Sequence, residues 1–238
     1  MRPDGRLLER GTPLRRGVLL GLAVPVLGLL PTALLLGQGT NGMVGVQAGP
    51  ITTGVHSEVP AILDTDWRTG LSAGVFAAFQ PAAHLMVRAN LLLSRRGFGF
   101  RMYREGPGLI PGEAEVRFLE ALMDVGFRVP WPEGGGITRV YAGPAVGYRL
   151  GCTSKGSAMG VEFEENCDHP LVGLRTRSLD VGASVGAGID LYLPSITVLM
   201  DGRYTYGLRN LNRSPDGSQD LSSRAWSFTM GLGWPWRW

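Results

Sequence analysis

The stretch RAWSFTMGLGWPWRW, residues 224–238, sorts its side chains by parity. Trp226, Phe228, Met230, Leu232, Trp234, Trp236 and Trp238 fall on one side of an extended strand; Ala225, Ser227, Thr229, Gly231, Gly233 and Pro235 fall on the other, because successive side chains of a strand point to opposite faces. If the Trp-rich side met a soluble core, the small side would have to meet water, and Ala, Ser, Thr and Gly make a poor charged surface. If the greasy side meets lipid, the small side fits the interior of an eight-stranded barrel, which side chains fill without leaving an aqueous channel. Trp234, Trp236 and Trp238 then belong to an interfacial aromatic girdle, and Trp226 is grouped with them.

Working back from this segment, the same period of two recurs seven times. The segments are 44–53, 69–79, 84–94, about 115–129, 138–150, 178–193 and 195–209. In HLMVRANLLLS, for example, Leu85, Val87, Ala89, Leu91 and Leu93 oppose Met86, Arg88 and Asn90. The connections alternate as well. QPAA, PWPEGGG and the Pro194 turn are short, whereas the first, third, fifth and seventh connections run to roughly 14, 16, 27 and 15 residues. Short turns at one end, long loops at the other and an even number of strands describe an all-β, eight-stranded antiparallel up-and-down transmembrane β-barrel. Both ends of that barrel fall on the short-turn, periplasmic side. On the parity rule Val198 is expected to face lipid near mid-bilayer and Thr197 the lumen.

Ahead of the first strand, Arg15 and Arg16 precede GVLLGLAVPVLGLLPTALLLG, residues 17–37, and then the small and polar GQGTNG. A basic region, an apolar region and a small-residue zone read as a signal peptide over residues 1–39, with cleavage between 37 and 42. The barrel domain is then 43–238. The competing reading is an uncleaved membrane anchor, since the run approaches the ~20 residues of a spanning helix; Pro25 and Pro31 weigh against it. The leader takes five of the 23 basic residues and two of the 20 acidic ones. The remainder is neutral, so no electrostatic footprint for nucleic acid is left. With 36 glycines a helical bundle is disfavoured, because Gly weakens helix interiors by up to ~1 kcal/mol relative to Ala.

YAGPAVGYRLG (141–151), DVGASVGAGIDLYL (180–193), LMDGRYTYGLRNLN (199–212) and the final FTMGLGWPW resemble the recurring segments of the PorT-like outer-membrane β-barrel family, related in architecture to OmpA and OmpX barrels. The resemblance covers roughly residues 43–238, and Asp201, Arg203, Tyr204 and Gly207 are its most specific part. It implies a place in the bacterial outer membrane, insertion by the barrel-assembly machinery that reads a terminal aromatic such as Trp238, and, for some members, roles in secretion and gliding assemblies. Two positions depart from the pattern: Pro235 interrupts the last strand, so pairing is expected to end near Trp234, and Leu122 stands where the family often has proline.

The inward-parity charges Arg88, Glu120, Asp124, Arg139, Arg149, Asp190, Asp201 and Arg203 read as a lumenal salt-bridge network. Charges of both signs in a narrow interior are tolerable only when paired and hydrogen-bonded; a proton or ligand site is the alternative. Cys152 and Cys167 bracket TSKGSAMGVEFEEN in the longest connection. In an exported chain they read as a disulfide, against a metal pair with His169 that lacks the usual CxxC spacing. His56, Ser57 and Glu58 are adjacent and point different ways on an extended chain, and no GxSxG, P-loop or HExxH motif is present, so no catalytic residues, cofactor or metal are assigned. Lys155 is the single lysine, which argues against a polybasic lipopolysaccharide patch, although outer-membrane lipid and lipopolysaccharide are the expected surroundings. The expected role is a small non-porin barrel, structural, adhesive or part of an envelope assembly, whose long loops meet a partner. A lipid-modifying barrel enzyme and a soluble periplasmic lipocalin-like carrier are the alternatives.

Overall fold

A computed structural model describes residues 41–57, 62–104, 108–158, 161–167, 178–208 and 221–237. The expected leader, residues 1–39, lies outside them, as do Glu58, His169 and Trp238. The strands are β1 (Asn41–Ser57), β2 (Ile62–Ala82), β3 (Leu85–Arg104), β4 (Gly108–Pro130), β5 (Gly136–Ala158), β6 (Val161–Asn166), β7 (Leu179–Tyr192), β8 (Thr197–Gly207) and β9 (Leu221–Arg237). Eight of them form a ring, each antiparallel to its neighbours: β1 to β5 in order, then β7, β8 and β9, with β9 returning to β1. Closure runs from Asn41 opposite Arg237 to Ser57 opposite Leu221. It leaves no edge in the spanning region, which matters because unpaired backbone groups in hydrocarbon cost several kcal/mol each.

Register carries the parity pattern from strand to strand. Val46 lies opposite Val75, Val75 opposite Leu91 and Leu91 opposite Ala121, so the apolar sides merge into one outer surface on which Val75, Leu93, Val185 and Phe228 are exposed. Gln47, Ser72, Arg88, Asn90, Glu120, Asp124, Arg139 and Ser184 are buried inside the ring. An apolar exterior around a buried polar interior is the inverse of a soluble barrel, and lipid is the medium that suits it. Leu122 points inward and packs with Leu92 and Ala145.

Four expectations are refined. The ninth strand, β6, lies within the connection read from sequence as the longest loop. It continues outward as a hairpin with β5, from Thr153 opposite Asn166 to Ala158 opposite Val161. β3 and β4 also run on to Arg104 and from Gly108, well past the segments 84–94 and 115–129. The greasy side that marks a strand in the sequence ends where lipid ends, whereas backbone pairing continues into water. Val198 is only one residue inside the short-turn end of β8, so it faces outward near that rim and not at mid-bilayer; Leu91 is nearer the middle. Pairing does not stop at Trp234 on both sides of β9: it ends at Gly233 against β8 but continues to Arg237 against β1. Pro235 is tolerated because β9 has one neighbour there, a position open to proline in a sheet.

At the short-turn end, PWPEGGG reverses the chain through Gly134 and Gly135, whose φ values of 73° and 78° favour glycine. Trp131 N–H donates to the Gly136 carbonyl at 3.1 Å across this turn.

Candidate functional site

Inside the ring, the charged side chains gather into two clusters. The one nearer the short turns centres on Asp201 of β8 and Asp124 of β4. Arg88 donates through Nη1 and Nη2 to the two Asp201 oxygens at 3.0 and 3.2 Å, and through Nε to Asp124 at 3.3 Å. Arg139 Nη2 donates to Asp201 at 2.6 Å, and its other terminal nitrogen pairs with Asp190. Arg203 Nη2 donates to Asp124 at 2.6 Å. Tyr141 hydroxyl donates to Asp201 at 2.9 Å, and its ring lies 4.8 and 5.1 Å from the guanidinium carbons of Arg88 and Arg203. Asn90 donates to Asp124 at 2.8 Å and accepts from Gln47 at 3.1 Å.

This arrangement ties β1, β3, β4, β5, β7 and β8 together across the lumen. Three guanidinium groups meet three carboxylates, so the cluster is neutral, and the bidentate fork of Arg88 is the geometry that suits a buried carboxylate. Glycines on β7 make the room: a Cβ at Gly186 would lie 2.5 Å from the Tyr141 ring, and one at Gly188 would lie 2.8 Å from Arg139 Nη2.

The second cluster lies toward the long-loop end. Arg96 of β3 donates to Glu120 at 2.5 Å and to Asp180 at 3.5 Å. Ser94 donates to the other Glu120 oxygen, Ser223 donates to Asp180 at 3.0 Å, and the Arg96 guanidinium lies 5.2 Å from the Phe118 ring centre. Here one arginine serves two carboxylates, with hydroxyls completing the set.

Of the eight charges singled out from sequence, Arg88, Asp124, Arg139, Asp190, Asp201 and Arg203 meet in the first cluster and Glu120 in the second. Arg149 is half-buried farther out on β5, where its backbone N–H donates to the Ser178 carbonyl at 2.8 Å. Sequence reasoning missed Arg96 and Asp180 as network members. Asp180 has the inward parity of its segment, and Arg96 continues the series 86, 88, 90 beyond the point where the apolar partners stop. Tyr141, Asn90 and Gln47 also share inward parity; uncharged, they were not singled out.

Beyond the second cluster, Cys152 and Cys167 form a disulfide with Cα atoms 5.5 Å apart, joining β5 to the end of β6. Opposite Arg117 and Phe118 the β5 register shifts by one residue. Cys152 thereby turns inward, onto a small apolar cluster with Ala114, Val116 and Phe118. Among the described residues no three His, Cys, Asp or Glu side chains converge as metal ligands.

At the opposite end, Trp234 is exposed on the outer face, and Trp236 meets Phe79 edge-on at 5.8 Å while lying over Gly42. Trp226 is eight positions from Trp234 and packs on Tyr204 at 4.8 Å. At ~3.3 Å per residue the two tryptophans stand ~26 Å apart along the tilted strand, so Trp226 belongs toward the far interface and not with the short-turn girdle. Near the short turns a cavity of about 360 Å³ is lined in part by Met43, Met86, Arg128, Asp190 and Tyr192. Arg128 donates to the Tyr192 hydroxyl at 2.5 Å across its rim. His84 stands exposed at this end, its Nδ1 3.2 Å from the Arg128 carbonyl oxygen.

The fold and its lipid-facing exterior define a membrane-spanning barrel. The chain belongs to the outer membrane protein beta-barrel domain family, whose model matches residues 38–213, and it is a protein of the bacterial outer membrane. Solved structures with a similar course include Ail, the attachment invasion locus protein of Yersinia pestis, at 15% identity with a TM-score of 0.40, covering 81% of this chain and 99% of that one. Neisserial surface protein A is 14% identical with a TM-score of 0.42, covering 80% and 96%. OprG of Pseudomonas aeruginosa is 14% identical with a TM-score of 0.46, covering 84% and 98%. No curated protein sequence matches the chain.

Proposed function

We propose that this barrel is a non-porin surface anchor that presents its outward-running strands to a partner, in an adhesive, structural or envelope-assembly role. The observation that carries the reading is the division of labour along the barrel axis. The lumen is plugged at mid-barrel, with Arg88, Arg139, Asp124 and Leu199 almost wholly buried, while β3, β4 and β5 are 20, 23 and 23 residues long. A barrel strand needs only ~9 to 11 residues to cross the hydrocarbon, so about half of each stands beyond it. The excess lies on the long-loop side, where the Cys152–Cys167 disulfide fastens the β5–β6 hairpin. Partner contact at such exposed, braced segments is a common use of a rigid scaffold.

Within the outer-membrane family, the segments around Asp201, Arg203, Tyr204 and Gly207 support a PorT-like affiliation, and with it a place in an envelope assembly. The reading is of contact and not catalysis: His84 is engaged at the short-turn rim, and the buried carboxylates are bound to arginines. The proposed leader, residues 1–39, would deliver the chain to the export pathway and the barrel-assembly machinery would insert it.

The test is in situ crosslinking on intact cells, with a photoreactive residue at Lys155 or at Glu164, which pair with each other on the exposed β5–β6 hairpin, and a control at lipid-facing Val75. Discrete protein adducts from the hairpin positions and none from Val75 support the reading. Adducts at neither hairpin position, together with steady ion conductance of the purified barrel in a planar bilayer, would replace it with a pore.

A further inference from the structure

On the outer face of β3 and β4 the side chains change character at one shared level. Along β3 the outward series Val87, Ala89, Leu91, Leu93 is followed by Arg95; along β4 the series Phe127, Val125, Met123, Ala121, Leu119 is followed by Arg117. Leu93 pairs with Leu119 and Arg95 with Arg117, so both strands pass from apolar to charged at the same register. Tyr148 of β5 lies opposite Leu119 on this face, and tyrosine is enriched at membrane interfaces. The two arginines are therefore set where the hydrocarbon gives way to headgroups on the long-loop side.

Two like charges directly opposite in a ladder are unfavourable on their own. Arg95 is answered by Glu115, which accepts from its Nε at 3.0 Å and its Nη2 at 2.7 Å. Arg117 is exposed, makes no ion pair among the described residues, and lays its guanidinium along Gly151, with Nη2 3.5 Å from where a Cβ would stand. Beside them Arg68 pairs with Glu113 at 2.5 Å. Asp66, opposite Gly99 and exposed beside Arg68, brings the carboxylates to three, so the patch is balanced as a whole and Arg117 is its one guanidinium without an ion pair among the described residues; a guanidinium fork matches a phosphate bidentately.

We propose that Arg117, with Arg95 directly opposite, holds a phosphate of the outer-leaflet glycolipid. The ligand is a membrane lipid and not a soluble anion because the site is flush with outward-facing leucines that meet acyl chains: exposed Leu93 and half-buried Leu119 lie two residues, ~7 Å, below it. The lysine-poor composition hides such a site, since it is built from arginine.

The experiment is native mass spectrometry of the full barrel in neutral detergent, titrated with bisphosphorylated lipid A or with the same lipid enzymatically dephosphorylated. Wild type should retain the phosphorylated lipid at least about tenfold better than the dephosphorylated one, in line with loss of a charge-assisted hydrogen-bonded pair. Arg117→Gln should abolish that preference, Arg117→Lys should restore part of it, and Lys155→Gln, on the exposed hairpin, should leave it intact. Because Arg117 is exposed, its replacement leaves the barrel folded, which an unchanged mobility shift between boiled and unboiled samples verifies. Equal retention of both lipids by wild type, or an unaltered preference in Arg117→Gln, overturns the site. Displacement of the lipid by millimolar inorganic pyrophosphate assigns the arginines to a soluble anion and overturns the lipid proposal. Neither result bears on whether the β5–β6 hairpin meets a protein partner.

Discussion

Two charged clusters share one lumen and are balanced differently. Around Asp201 and Asp124, three arginines meet three aspartates and each carboxylate receives at least one guanidinium. Around Glu120 and Asp180 a single Arg96 is divided between two acids, close to one and 3.5 Å from the other, and serine hydroxyls supply the rest. The contrast teaches what holds a narrow barrel closed. A buried ion pair adds little when compared with a well-packed apolar pair, but removing one partner is strongly destabilising because it strands the other. The Asp201 cluster is therefore the part of the lumen where single deletions do most damage, and the Arg96 cluster has slack.

The largest expected effect is at Asp201. Asp201→Ala deprives Arg88 of both its forked bonds and Arg139 of one, and should cost about 3 to 5 kcal/mol, read as a lowered urea midpoint when unfolding from lipid vesicles is followed by gel mobility without boiling. A loss below about 1 kcal/mol would mean that Asp124 and Asp190 take over both arginines, and the two clusters would no longer differ in kind.

Next come the glycines beneath each cluster. Gly186→Ala drives a methyl into the Tyr141 ring and should cost about 1 to 3 kcal/mol as an overpacking change, with Tyr141→Ala in the same chain removing the clash. Gly147, beside the Arg96 cluster, has its nearest neighbours, Phe118 and the Asp180 Cβ, at 3.4 and 3.6 Å, so Gly147→Ala should be close to neutral. Comparing the two urea midpoints measures how tightly each part of the lumen is filled. Equal losses would say that the packing is uniform.

Much of this was legible from the sequence, and the limits have physical causes. Parity in RAWSFTMGLGWPWRW exposes the lipid face because hydrocarbon tolerates no charge on it, and inward parity alone placed Arg88, Asp124, Arg139 and Asp201 together. Which charges pair was not legible, since Arg88 and Asp201 are 113 positions apart and meet only when the ring closes. Arg96, β6 and the outer parts of β3 and β4 were hidden for a different reason. Beyond the bilayer both faces of a strand meet water or a local core such as that around Cys152 and Cys167, and the one-sided apolar signal disappears while the pairing persists. Trp226 was misgrouped because composition shows an aromatic but not its depth.

Within the Arg96 cluster the two acids are expected to be unequal. Glu120→Gln leaves Arg96 with its weaker partner at 3.5 Å and deprives Ser94 of a charged acceptor, for a loss of about 1 to 3 kcal/mol, measured by the same midpoint.

Asp180→Asn is the mildest change and the most informative. It leaves the close Arg96–Glu120 pair in place, keeps an acceptor for Ser223, and turns an arrangement of one cation and two anions into a balanced pair. Like charges sharing one buried site oppose each other, so their repulsion is lost together with a long 3.5 Å bond. The net should lie within about 1 kcal/mol of zero, and its sign decides the reading of this cluster. A gain in the urea midpoint means that the second carboxylate is held at a cost to the fold, as slack in the lumen implies. A loss as large as that of Glu120→Gln means that Arg96 depends on both acids equally, and that the outer cluster is as closed as the one around Asp201.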